Sequence, residues 1–444
     1  MRRRPAWLGV PGKDADGAVL LTGPEAGELL KAAVEHAGGG LVDWHLDHVD
    51  ANPGQSTTAT YQARVQWPAG ERQELFGMSA RASGPAVTDS RADIYVDGSR
   101  EVAVWRYPDD PDLPGLSRAA YPEQMAAIIS DLNLVGARVS AQQIDLHMIG
   151  YRPRRRAVLC VEVNNRRFYV KVLREGIFQA TLARYDLLTR ASVPSPRVAG
   201  VTEDNLLFLT ELPGCPLSKA LFEPGSPCTA ESLVGLLDQL PPQVCDLPRR
   251  SPWSESVAHY SRMVTAALPD QSERLERMAQ IITTGLSDVP AENEPTHGDF
   301  HEGQIHVWNG HVCGILDVDT IGPGRRSDDL ACLVAHLSTV QRMNVPQADR
   351  MRQILTAWVP VFDARVDPIE LRLRSAAVAI SLATGPYRSK RTTGRPKPYQ
   401  SLTRLKLWSI RWPDAPFALW TRSPYELLAP PKVEAICSCF LGPV

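Results

Sequence analysis

The chain has 444 residues, 43% apolar and 22% charged, which excludes a disordered protein and is too long for one compact core. A formal charge of -2 excludes a general pull toward nucleic acid or an acidic membrane surface. The eight cysteines (160, 215, 228, 245, 313, 332, 437 and 439) match neither a disulfide framework nor a zinc ribbon, as expected in a reducing compartment.

The opening "MRRRPAWLGVPGKDADG" begins like an export signal, but Gly9, Pro11, Lys13 and Asp14 interrupt the apolar run such a signal needs. No stretch approaches the ~18 apolar residues of a membrane span, so a cytoplasmic protein without a membrane partner is expected. Residues 24–37 space Leu29, Leu30, Ala33 and Val34 for a helix that stops at Gly38-Gly39-Gly40. Four strand-like runs follow, at 41–49, 58–67, 72–80 and 101–107, with Pro68-Ala69-Gly70 as a hairpin loop. One helix and four strands make a small α+β unit, which the proline-rich "YPDDPDLPGL" (107–116) closes. A helix over 123–132 and strands over 143–151, 156–163 and 166–174 come next, the last two joined by the turn dipeptide Asn164-Asn165. A helix over 178–191 and a strand over 205–212, ending at Pro213-Gly214, complete this part. Helical spacing then dominates, at 230–240, 253–267, 271–285, 327–343, 346–359 and 368–384. The resulting division is 1–118, 119–213 and 214–444.

Lys171 lies inside the apolar run "RFYVKVL". A buried ammonium needs an anionic partner, whereas an edge-strand lysine simply points to solvent. The stretch 296–319, "THGDFHEGQIHVWNGHVCGILDVD", is the densest cluster of chemically able side chains. Pro295 and Gly298 oppose a helix across 296–301, and with it a helical zinc pair of His297 and His301. A loop, then a strand pair, would place Asp299 in the loop and Asp317 at the end of "HVCGILDVD". The amide of Gln304 and the carboxylate of Asp317 suit a hard cation such as Mg²⁺, and Asp299 is then a proton acceptor for a hydroxyl. The plainer alternatives are a turn-capping Asp299 and a strand-end Asp317. Between the second unit's first two strands, "GYRPRRR" (150–156) has one glycine; its arginines either approach phosphates or form a solvated turn.

The order of these features resembles the protein-kinase-like fold: a strand lysine, a helix, a strand ending in Pro-Gly, a loop aspartate with an amide, then a second aspartate. More narrowly, "HGDFHEGQ … GILDVDTIGPGRRSDDLACL" is similar to the aminoglycoside phosphotransferase family, over roughly residues 140–385. That resemblance implies an α+β, two-lobed kinase fold with a small β-rich N-lobe and a helical C-lobe, here behind an extra N-terminal α+β cap. It implies transfer of the γ-phosphoryl of ATP, or GTP, to a hydroxyl of a sugar, sugar-like antibiotic or related metabolite. Carried across, Asp299 is the catalytic base, Gln304 and Asp317 hold Mg²⁺, and Lys171 meets the α- and β-phosphates. The backbone of Glu211 and Leu212, in "LLFLTELPGCPL", is the adenine hinge; Asp329 and His297 are supporting residues. Two positions depart from the family: Gln304 stands where many members have Asn, and Gln179 where the lysine's glutamate is usual. Glu175 and Asp186 are possible stand-ins for that glutamate. Gln at position 304 also occurs in maltokinase-like members. A maltokinase-like enzyme and a catalytically silent nucleotide-binding protein therefore stay open. Residues 371–412 hold ten Lys and Arg and no Asp or Glu, which favours a neutral or anionic acceptor over a polycationic one, unless this is a basic face remote from the site. Nucleic-acid binding through this stretch is a third reading. Tyr399, Trp408 and Trp412 are candidate stacking residues.

Overall fold

The computed structural model describes residues 14, 16–52, 54–82, 91–97, 100–339 and 345–383. The chain divides into two compact units. Among the described residues, the first takes in the chain to Leu182 together with Val198–Glu211; the second takes in Ala183–Arg197 and residues 212–383.

The first unit contains two antiparallel sheets. Helices α1 (Ala18–Thr22) and α2 (Ala26–His36) precede β1 (Gly40–Asn52), β2 (Ser56–Trp67), β3 (Gly70–Arg81), β4 (Asp93–Asp97) and β5 (Arg100–Arg106). The sheet order is β1-β2-β3-β5-β4. Leu29, Leu30, Ala33 and Val34 bury one stripe of α2 against Tyr61, Ala63 and Val65, the inward side chains of β2. Gly38, at φ 85°, ends α2: its N–H donates to Glu35 O and the Gly39 N–H to Val34 O, which satisfies two terminal carbonyls. Two helices and five strands stand where one helix and four strands were expected. The five-residue α1 and β4 are too short to carry a period.

After α3 (Leu116–Ala119) and α4 (Pro122–Asp131) come β6 (Asp145–Arg152), β7 (Arg156–Val163), β8 (Arg166–Leu173), α5 (Glu175–Arg190), β9 (Val198–Val201) and β10 (Leu206–Thr210). The order β6-β7-β8-β10-β9 makes β8 the central strand. Asn164 and Asn165, at φ 49° and 60°, form the tight left-handed turn joining β7 to β8. Phe168, Val170 and Val172 share the face that packs on Leu113, Leu116, Met125 and Ile128.

A buried polar cluster joins the two sheets. Asp110, wholly buried, accepts from Tyr151 Oη (2.7 Å), Arg154 N (2.8 Å) and Asp112 N (2.9 Å). Trp105 Nε1 donates to Tyr151 Oη at 3.0 Å. The Arg154 guanidinium meets Asp112 (2.9 Å) and Ser79 Oγ (3.0 Å). This corrects both expectations for Arg154, whereas Arg152 and Arg155 stay exposed as a solvated turn requires. Gly150 lies within β6 at a register shift, and the turn is Pro153–Arg155. Arg154 is neither solvated nor free for phosphate, and Arg155 pairs with Asp50 at 2.8 Å.

The second unit holds β11 (Cys215–Pro216), α6 (Leu217–Ala220), α7 (Ala230–Asp238), α8 (Val257–Ala267), α9 (Ser272–Leu286), β12 (Glu294–Thr296), β13 (Ile305–Trp308), β14 (His311–Ile315), β15 (Gly322–Gly324), α10 (Arg326–Ser338), α11 (Val345–Asp363) and α12 (Pro368–Leu382). α8, α9 and α12 bury Val264, Met278, Ile282, Leu373 and Ile380 together. α10 is buried around nearly its whole circumference, as a central helix should be. No helix among the described residues is long and apolar enough to cross a membrane.

Candidate active site

The loop after β12 is held by backbone hydrogen bonds that leave few degrees of freedom. β12 pairs with β15, and Thr296 Oγ1 donates to Gly322 O at 2.8 Å. The chain then turns at Gly298, φ 77°, where a Cβ would stand 2.6 Å from Thr320 O, so glycine is required. The amides of His297 and Gly298 donate to the two carboxylate oxygens of Asp329, at 2.7 and 2.8 Å. Thr320 Oγ1 donates to His297 O at 2.7 Å. The His297 ring is fully buried, with Nε2 2.9 Å from Leu316 O and its edge toward Phe300. His297 and Asp329 thus build the loop rather than reach a ligand. Burial pushes the Asp329 carboxyl up to about 6, against the pull of His297 and the two amides.

Asp299 follows this frame and is half-buried, while the next residue, Phe300, is fully buried. The loop therefore pins its neighbours and presents Asp299. No helix forms across 296–301, so His297 and His301 are not a helical metal pair. A turn at 302–304 leads into β13, and the Leu316 N–H donates to Gln304 O at 2.7 Å. That bond brings the backbone beside Asp317 against Gln304. β14 ends at Ile315, and Asp317 adopts φ 49°, ψ 57°, a left-handed conformation that aspartate tolerates better than most residues. Asp299, Gln304, Asp317, His297 and Asp329 all belong to the second unit and share this bonded frame.

Lys171 belongs to the first unit, on β8 between Val158 of β7 and Leu207 of β10. It is 7% exposed on a central strand, so the edge-strand alternative fails. Gln179 is exposed on α5, as is Glu175; Asp186 lies 3.9 Å from Arg190. Glu211 is the last residue of its segment in the first unit, with its carboxylate on Arg167. Leu212 belongs to the second unit and is buried against Gly314, where a Cβ would lie 2.7 Å from Leu212 Cδ1.

The basic stretch 371–412 is only partly described. Arg372 is paired with Asp363, and Arg374 with Asp328 and Glu370, so these two arginines are neutralised. The other eight basic residues, with Tyr399, Trp408 and Trp412, lie outside the described residues, as do Cys437 and Cys439. One group escaped sequence reading altogether: His301 and Glu302 meet His336 of α10, with the two imidazoles stacked at 4.3 Å. Burial and the neighbouring His336 hold the His301 imidazole below its usual range. For Glu302, burial opposes ionisation, but His336 and His301 outweigh it and hold the carboxyl low. Only the density of histidines and acids in 296–319 hinted at this; the partner on α10 had no sequence signal.

Residues 154–358 match the model of the phosphotransferase enzyme family, APH. This segment is a phosphotransferase-family domain. Members of the family phosphorylate hydroxyl groups, and residues 154–358 carry a domain of that family. The matched domain is α+β, antiparallel sheets followed by helices, and the extra sheet of β1–β5 precedes it. No curated protein matches the chain. Among solved structures, a thermostable mutant of aminoglycoside phosphotransferase APH(4)-Ia, in a ternary complex with ADP and hygromycin B, is 15% identical; the match covers 71% of this chain and 98% of that one, with a TM-score of 0.43. An aminoglycoside-3'-phosphotransferase of type VIII is 18% identical over 58% of this chain and 99% of that one, at a TM-score of 0.38. The choline kinase LicA from Streptococcus pneumoniae is 11% identical over 63% and 98%, at 0.39. These are distant likenesses; the family match carries the assignment.

Proposed function

We propose that this protein transfers the γ-phosphoryl of ATP to a hydroxyl of a small neutral or anionic metabolite, a sugar or sugar-like compound. The observation that carries this reading is the Asp329 frame, which fixes the amides of His297 and Gly298 directly before the half-buried Asp299. Asp299 accepts the proton of the acceptor hydroxyl and orients it for in-line attack. Lys171 binds the α- and β-phosphates, and the hinge backbone at Glu211 and Leu212 holds the base. Gln304 and Asp317 would hold Mg²⁺: both offer hard oxygen donors, and the Leu316–Gln304 bond places their backbones side by side. That ion supplies charge neutralisation on the transferring phosphates; the protein contributes positioning. The acceptor's charge is inferred from the eight basic residues of 384–412, a stretch without acids. We place the protein in the cytoplasm, in keeping with its reduced-thiol composition.

The test is Asp299→Asn. It should lose about 10²–10⁴-fold in kcat while Mg-ATP still raises its melting temperature as in wild type. Wild-type turnover in this variant would remove Asp299 from the reaction. A second reading, a silent nucleotide binder, is favoured by Gln179 and by the Arg154-tied β6–β7 turn. It predicts Mg-ATP binding by the wild type but no ADP release across a panel of neutral sugars, anionic metabolites and aminoglycosides.

A further inference from the structure

Two and three residues past Asp299 the loop carries His301 and Glu302, and α10 brings His336 against them. One ring nitrogen from each imidazole and a Glu302 oxygen lie within 4.8 Å of one another. Glu302 Oε2 faces both rings, 3.5 Å from His336 Nδ1 and 3.8 Å from His301 Nδ1. Both separations are long beside the ~2.9 Å of an N–H···O hydrogen bond. Oε2 is also sealed from solvent and makes no hydrogen bond of normal geometry; what offsets its charge is the two imidazoles at these long separations. A cation among the three groups would satisfy that oxygen at bonding distance.

The distances suit a shared ion better than a shared proton. A tetrahedral ion with ligands at ~2.0–2.2 Å holds them ~3.4 Å apart. The imidazoles stack 9° from parallel. Two protonated rings would repel in such a stack, whereas neutral imidazole, the ligating form, is compatible with it. His301 Nδ1 already presents a lone pair, since the Gly303 N–H donates to it at 3.1 Å; ligation there replaces this contact. Convergence of the lone pairs requires the rings to turn. The three side chains are 19%, 17% and 21% exposed, which leaves room for that rotation and a path from solvent.

We propose that His301, Glu302 and His336 form a site for a divalent transition metal, zinc foremost, separate from the oxygen donors Gln304 and Asp317. Two imidazole nitrogens and one carboxylate oxygen are a set that zinc accepts, with a fourth position left to water. An ion there ties the Asp299 loop to α10 at a second point, beside the Asp329 anchor.

The experiment uses the metal-free full chain, titrated with Zn²⁺ against a chromophoric chelator and with Co²⁺ read by visible absorption. The wild type should bind one more Zn²⁺ per chain than His336→Gln. Affinity at this site should fall at least about 100-fold in both His336→Gln and Glu302→Gln, and the intense Co²⁺ band should vanish in both. Asp317→Asn should keep the ion, and Zn²⁺ should raise the melting temperature of wild type but not of His336→Gln. Equal stoichiometry and affinity in wild type, His336→Gln and Glu302→Gln overturns the site. Loss in Asp317→Asn with retention in His336→Gln overturns it too, because the ion would then sit on the oxygen donors.

Discussion

At the scale of the residue, Asp329 is the group on which the loop's geometry rests, and its burial has a measurable consequence. Its two oxygens accept the His297 and Gly298 amides, 32 and 31 residues away in sequence. Asp329→Asn keeps one acceptor but turns an NH₂ toward an amide N–H, which should cost about 2–4 kcal/mol. The pH dependence is distinctive. Burial raises the folded-state carboxyl from an ordinary 3.8 to about 6, so ionisation is penalised in the fold and not in the unfolded chain. The penalty is absent below pH ~4, grows through the interval up to about 6 and is complete above it, on the order of 3 kcal/mol. The stability advantage of wild type over Asp329→Asn should therefore narrow as pH rises from 4 to 6.5 in urea denaturation, and stay level above. A widening gap would mean the carboxylate is stabilised by its amides more than burial penalises it. The family resemblance, through Asp329-Leu330-Ala331, implied a supporting role for Asp329. It could not show which amides the carboxylate holds, because that pairing is set by the β12–β15 bridge, two three-residue strands without a period.

At the scale of the element, strands and helices with a clear period were legible. β7 was placed residue for residue, α7, α9 and α12 within two, and Asn164-Asn165 gave its turn through left-handed chemistry. What could not be read was where a turn's side chains go. "GYRPRRR" looks like exposed charge, yet Arg154 is buried at φ 61° because Asp110, Asp112 and Ser79 come from a segment 42 to 75 residues earlier. Arg154→Ala removes the bonds to Asp112 and Ser79 and should cost about 1.5–3 kcal/mol. Arg154→Gly loses the same bonds but relieves the left-handed strain, a gain partly offset by unfolded-chain entropy. It should fall less far, by about 0.5–1 kcal/mol. Urea midpoints of both variants check this order. A solvated turn arginine would instead leave the alanine variant within about 0.5 kcal/mol of wild type.

At the scale of the whole molecule, the question is whether the N-terminal sheet is an appendage or part of the lobe that carries Lys171. The change in composition at 107–116 suggests a linker, and the proposed boundary falls at 118. The packing argues for interdependence. Leu113 and Leu116, upstream of that boundary, are fully buried in the core beneath β7, β8 and β10, while Asp110 and Trp105 satisfy the buried Tyr151 hydroxyl. A fragment starting at Ala119 loses both leucines, each worth about 2–3 kcal/mol, and leaves Arg154 and Tyr151 without their buried partners. That sum reaches the ~5–15 kcal/mol that holds a domain together. A fragment starting at Asp109 keeps Asp110, Asp112, Leu113 and Leu116 and loses Trp105, Ser79, the Tyr107 ring on Tyr151 and the partly exposed Asp50–Arg155 pair. The expected order of urea midpoint, and of melting shift with Mg-ATP, is full chain, then the fragment from 109, then the fragment from 119, the last showing no cooperative transition. A fragment from 119 that unfolds cooperatively at the full chain's midpoint would make the cap a passenger, and the Asp110 cluster would then be a docking contact rather than part of the lobe's core.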